Sequence, residues 1–169
     1  VYNDWLNTFP CPEGTVDKDA VQWYGLQPAE RVLDQINIMP HFIQSTNFTP
    51  EWLSTFLTAL ADEVECIRKN YFTDGSNIYV TQVQAVTTAG MLMPEFKNAT
   101  EWLNEGSLKI SEQVTAQFLA DGVQVELDPS YHIGVVNDLY SIYKLAQLNN
   151  KLSLFPSNYT ELLLSLIHI

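Results

Sequence analysis

From Thr49 onward, apolar residues recur at Leu53, Phe56, Leu57, Leu60, Val64 and Ile67. This is the three-and-four spacing of a helix that buries one face. Thr49 suits the N-cap, Pro50 the first helical position, and Glu51 complements the positive end of the helix. The pattern stops near Tyr71, where Thr73-Asp74-Gly75-Ser76 reads as a turn. A second helix is predicted from about Asn77 to Met91, closed by Pro94. A third opens at Asn98, with Glu101 as the far side of a capping box, and continues towards Phe118. Gly106 inside it either costs helix stability or marks close packing against a neighbour. A fourth begins near Tyr131 and places Val136, Leu139, Tyr140, Tyr143 and Ala146 on one side. An earlier helix, about Pro28 to Ile43, is interrupted near its end by Pro40.

Sustained alternation is confined to Val123–Leu127, a short extended piece. The chain is therefore predicted to be all-α, built from helical hairpins joined by short turns. Trp23, Trp52 and Trp102 stand at helical positions and read first as core. The terminal LLLSLIHI is apolar without a cap or stop signal. It reads either as a core helix cut short or, over residues 165–169, as a non-native tail resembling translated adaptor sequence.

Composition narrows the picture. The 169 residues are 46% hydrophobic and 17% charged, enough for a globular core and inconsistent with general disorder. No run approaches the roughly 20 apolar residues of a membrane-spanning helix. The net charge of −12, with only 8 Lys and Arg, makes nucleic acid a poor partner. It also argues against a polyanionic sugar, and makes an unsulfated or low-sulfate one easier to accommodate than a heavily sulfated one. Cys11 and Cys66 are too few and too distant in sequence to suggest a framework, so Cys66 reads as a buried free thiol. His41, His132 and His168 are scattered, which argues against a tetrahedral zinc site.

The segment DGVQVELDPSYH, Asp121 to His132, stands about 45 residues after Asn77. Taken alone, Asn77 reads as a helix cap and Tyr131 as a half-buried phenol at the start of a helix. Arg31 reads as a solvated or cap-pairing residue, and Glu126 and Asp128 as acceptors that order a loop.

The order and spacing of several segments add a further reading. WYGLQPAERVLDQINIMPHFIQSTNFTPEWL carries Trp23, Leu26 and Arg31; PEFKNATEW follows Asn77; QFLADGVQVELDPSYH comes later; and Trp5 and the Cys11-Pro12 pair precede them all. Together, from Trp5 to about Asn150, these resemble the helical domain of heparinase II/III-type polysaccharide lyases, most closely the heparinase III-like group. The resemblance implies an incomplete α/α toroid over residues 1–164, with a C-terminal β-sandwich domain absent from this chain. It also implies a periplasmic or secreted bacterial enzyme that cleaves a uronate-containing glycan by β-elimination. Heparan sulfate is the first expected substrate, and alginate or another polyuronate the second.

Elimination requires the uronate carboxylate to be neutralised, a base for the C5 proton and an acid for the leaving oxygen. By resemblance, Asn77 donates to the carboxylate and Tyr131 acts as acid and also as base. An ordinary phenol, of pKa about 10, needs a nearby cation for the second task. Arg31 is the expected cation, and His132, Glu126 and Trp23 are expected to line the substrate cleft. No cofactor or metal is implied for this chain. The family commonly carries His directly after the catalytic Asn, whereas here Ile78 follows Asn77. A further catalytic His is expected from the β-sandwich domain, so the chain by itself is expected to be inactive. Ile78 also leaves open a non-catalytic glycan-binding domain derived from such a lyase. A helical-toroid hydrolase fits less well, because Glu126 and Asp128 are too close in sequence to oppose one another across a sugar.

Overall fold

The computed structural model describes residues 2–167. Their helices are α1 (Tyr2–Thr8), α2 (Gln27–Phe42), α3 (Pro50–Lys69), α4 (Asn77–Leu92), α5 (Ala99–Ala116), α6 (Pro129–Leu148) and α7 (Tyr159–Ile167), with a 3₁₀ turn at Leu152–Leu154. The four strongest periodic segments became α3 to α6. Thr49 caps α3 as expected, its hydroxyl accepting from Trp52 N at 3.2 Å. Pro40 lies inside the last turn of α2 without ending it.

The sequence expectation is corrected in three places. Asn98 does not cap α5: its amide donates to Glu65 Oε1 at 2.9 Å, and Glu101 turns away to pair with Arg68. The predicted capping box is replaced by a tertiary ion-pair network. The buried side of α6 is formed by Val135, Val136, Leu139, Ile142 and Ala146, while Tyr140 is exposed. Cys11, read as unrelated to Cys66, lines the same cavity as it does. The Val123–Leu127 piece is extended only briefly, through one antiparallel bridge between Phe118 and Gln124. The C-terminal apolar run forms α7 and buries Leu163 and Leu166; His168 and Ile169 lie outside the described residues.

Helices α2, α4 and α6 lie side by side, and α3, α5 and α7 back them. This two-layered succession of hairpins is an arc of an α/α toroid. α4 is its centre, with Val80, Val83, Ala85, Val86 and Ala89 fully buried. Each fully buried Val or Ile side chain contributes about 1.5–3 kcal/mol of transfer free energy, so the sandwiched position of α4 anchors the arc. Backbones approach most closely between α4 and α5. A Cβ on Gly90 would stand 2.5 Å from Leu103 N, and one on Gly106 would stand 2.2 Å from Thr87 Oγ1. Gly106 therefore marks close packing rather than a weak point.

Candidate functional site

The loop before α6 fastens two helix N-termini together. Glu126 Oε2 accepts from Asn77 N, the first residue of α4, at 2.8 Å, and from Gln124 Nε2 at 3.1 Å. Two residues later, Asp128 Oδ1 accepts from Ser130 N at 2.7 Å and Tyr131 N at 3.3 Å, capping α6. Both carboxylates thus meet the positive ends of helices. Leu127 between them adopts φ 57°, a left-handed conformation costing about 1–2 kcal/mol for a residue with a Cβ. The two anchors on either side hold it there. Beneath the loop, Gln124 Nε2 donates to Gln117 Oε1 at 3.1 Å, and Gln117 Nε2 donates to Gly75 O at 2.9 Å. The turn ahead of α4 is thereby fixed to the same buried amide pair.

Ser76, not Asn77, occupies the cap position of α4. Among the described residues, none hydrogen-bonds to the Asn77 amide group or the Tyr131 hydroxyl, and Tyr131 is 45% exposed. Both side chains therefore retain their hydrogen-bonding capacity. The space beside Tyr131 is open: nothing lies within 4 Å of a Cβ built on Gly134. The loop and the first turn of α6 also border a cavity of about 290 Å³ lined by Val123, Leu127, Asp128, Pro129, His132 and Ile133.

One turn beyond Asn77, Thr81 Oγ1 donates to Asp138 Oδ2 at 2.8 Å, joining α4 to α6. Asp138 lies two turns beyond Tyr131 on the same side of its helix. Burial pushes its carboxyl up to about 6; the Thr81 bond opposes that shift, and Glu30 on α2 adds to it.

The remaining sequence candidates make structural contacts. His132 Nε2 is 3.2 Å from Leu166 O, and its ring meets Phe118 edge-on, so it ties α6 to α7. Arg31 Nε donates to Glu63 Oε1 at 2.9 Å and Nη1 to Gln22 O at 2.8 Å. Its guanidinium lies over Trp5 and Trp23, at 4.6 and 4.8 Å from the ring centroids. Arg31, expected as the cation for Tyr131, directs its charge at Glu63, and Trp23 packs on it in the core. Burial pushes the Glu63 carboxyl up, and Arg31 opposes the shift. Trp102 is likewise core, donating to Glu65 Oε1 at 2.8 Å. Among the described residues, no three His, Cys, Asp or Glu side chains converge as metal ligands would.

Thr81 and Asp138 were missed in the sequence. The available signal was an acidic residue between Val136 and Leu139 on a helix whose neighbouring face is apolar, opposite a Thr one turn from Asn77.

Comparison with known proteins gives a consistent family. The family model described as the heparinase II/III N-terminus matches residues 1–169. A heparin-sulfate lyase of Bacteroides thetaiotaomicron is 42% identical over 161 residues, covering 95% of this chain and 23% of the relative. A heparin-sulfate lyase of Pedobacter heparinus is 29% identical over 160 residues, covering 95% of this chain and 24% of the relative. A crystal structure of heparinase III matches with a TM-score of 0.94 and 40% identity, over 99% of this chain and 25% of that one. A heparan sulfate lyase mutant from Pedobacter heparinus matches with a TM-score of 0.81 and 27% identity, over 99% of this chain and 26% of that one. The chain thus spans about a quarter of the length of the relatives it matches.

Proposed function

The chain belongs to the heparinase II/III N-terminal family, and from that premise we propose that it forms one wall of the catalytic cleft of a polysaccharide lyase. The substrate is a uronate-containing glycan, heparan sulfate first, and the reaction is β-elimination. The observation that carries this reading is the double anchor of the loop: Glu126 on the first residue of α4 and Asp128 on the first turn of α6. It brings Asn77 and Tyr131 to adjoining helix ends with their polar groups unpaired.

In this reading the Asn77 amide donates to the uronate carboxylate, stabilising the charge that develops as the C5 proton leaves. Tyr131 donates its phenolic proton to the departing glycosidic oxygen, and the C4–C5 double bond forms as the C4–O bond breaks. No water is consumed, so a pair of opposed carboxylates is not needed. Glu126 acts by placing Asn77. His132 holds the direction of α6, and Arg31 and Trp23 support the fold behind the cleft. The remaining catalytic groups come from a C-terminal β-sandwich domain of the same protein, and the protein works in the periplasm or outside the cell.

A second reading is a non-catalytic glycan-binding domain. Ile78 favours it, because it supplies no donor where the family commonly has His. Ultraviolet absorbance during incubation of the full-length protein with heparan sulfate, hyaluronan and alginate separates the two. A rise on heparan sulfate that Tyr131→Phe reduces by about 100-fold or more supports the lyase. Retained binding with no rise on any glycan supports the second reading.

A further inference from the structure

Cys66 is buried on α3, and Cys11 is half-buried in the segment that follows α1. Although distant in sequence, they line one cavity of about 220 Å³ together with Asp62, Lys69 and Asn70. Cys11 Sγ is 3.8 Å from Asp62 O, one helical turn before Cys66 on the same face. The chain on the Cys11 side is held independently, since Val16 N donates to Asn70 Oδ1 at 2.8 Å. Asn70 in turn donates through Nδ2 to Cys66 O at 2.9 Å.

A disulfide needs two thiols brought close on backbones that are already in place, and the shared cavity and the Cys11–Asp62 contact bring Cys11 to the stretch of α3 that carries Cys66. We propose that Cys11 and Cys66 are a disulfide-forming pair that staples the N-terminal segment onto α3 when the protein meets a disulfide oxidant. The oxidant is a low-molecular-weight disulfide such as oxidised glutathione. Cys11, the more accessible thiol, loses its proton to solvent and attacks one sulfur of the oxidant, releasing one thiol and leaving a mixed disulfide. Cys66 then loses its proton and attacks the Cys11 sulfur, releasing the second thiol. The protein gives up two protons and two electrons, and one disulfide is reduced to two thiols.

Burial pushes the Cys66 thiol up to about 12 and raises that of Cys11, so little thiolate is present near neutrality. The exchange is consequently slow, and the pair behaves as a structural staple rather than a reactive centre. Its effect falls on the part of the fold that needs it. Trp5 and Trp23 reach Arg31 from the segment on either side of Cys11. Tying that segment to α3 restricts the unfolded chain across a long loop.

The test uses the full-length protein, incubated folded with oxidised glutathione at about pH 8, where exchange proceeds, then acid-quenched, alkylated and mapped without reduction. The expected result is a cross-linked peptide joining Cys11 to Cys66. Tm should rise by about 5 °C or more over the reduced protein, and Cys11→Ser should abolish the rise. Cys11→Ser is the variant of choice because Cys11 is half-buried, and Cys66→Ala gives the same answer from the other side. A persistent glutathione adduct on Cys11 overturns the proposal. So do two thiols left untouched in the folded protein while urea-unfolded protein oxidises them, and so does a cross-link that leaves Tm unchanged.

Discussion

Thr81 Oγ1 donates to Asp138 Oδ2 across 2.8 Å, and this bond joins the two helices that begin at the proposed catalytic pair. Thr81 follows Asn77 by one turn, and Asp138 follows Tyr131 by two. The spacing of α4 and α6 is therefore set by a polar contact close to the cleft as well as by the apolar core behind it.

The Asp138 carboxyl gives stability a defined dependence on pH. Its folded pKa of about 6 lies above the ordinary 3.8, mainly through burial. The folded state therefore holds the proton more tightly, and this contribution to stability is complete below the ordinary value. It is lost as pH rises through about 6. Asp138→Asn should retain an acceptor for Thr81 and flatten this window. It should also raise stability at pH 7 by about 1–3 kcal/mol, as read by urea unfolding at several pH values. An unchanged slope between acid and neutral pH would show that Asp138 does not titrate in this way.

Glu126→Ala removes the acceptor for Asn77 N and frees the loop around Leu127. In the full-length protein acting on the proposed glycan, kcat should fall about 10- to 100-fold with KM within about twofold, because the loss is one of placement rather than of sugar contacts. Glu126→Gln keeps an oxygen acceptor and should recover most of the rate. A matched loss in both variants would point to a direct role for the carboxylate charge.

Arg31→Met leaves Glu63 buried without its ion pair. Glu63 is fully buried and Arg31 is 22% exposed on its side chain. The expected loss is about 3–5 kcal/mol, measured by chemical unfolding. Arg31→Met combined with Glu63→Met should recover much of it. If Arg31 instead acted on Tyr131, the single variant would lose activity with unchanged stability.

Gly90→Ala drives a methyl group into the α5 backbone, 2.5 Å from Leu103 N and 2.7 Å from Ala99 O. Backbone atoms cannot swing aside as a side chain can. The expected cost is about 1–3 kcal/mol, seen as a lower denaturation midpoint, despite the higher helix propensity of Ala. A stabilised variant would mean that α4 and α5 can separate at no cost.

Helices α3, α4, α5 and α6 were legible because each buries a continuous stripe, and burial imposes the helical period on the sequence. The loop acceptors Glu126 and Asp128 were legible too, because an Asp-Pro-Ser start is a local capping signal. α1 escaped notice: it is short and none of its residues is fully buried, so it leaves little periodic trace. The capping box at Asn98 failed because a box is a local contest between hydrogen bonds. Arg68 on α3 won Glu101, and Glu65 won the Asn98 amide.

By itself, the sequence determined the helical class, most helix limits, the loop that leads into Tyr131 and the resemblance that singled out Asn77. These follow from periodicity and capping, which act over a few residues. Tertiary structure alone decided that Arg31 faces Glu63, that Thr81 meets Asp138 and that Cys11 comes beside Cys66. Each of these pairs joins segments distant in the chain, and nothing local encodes a distance between them. Such contacts are set by how whole helical faces dock, and docking depends on every buried side chain at once.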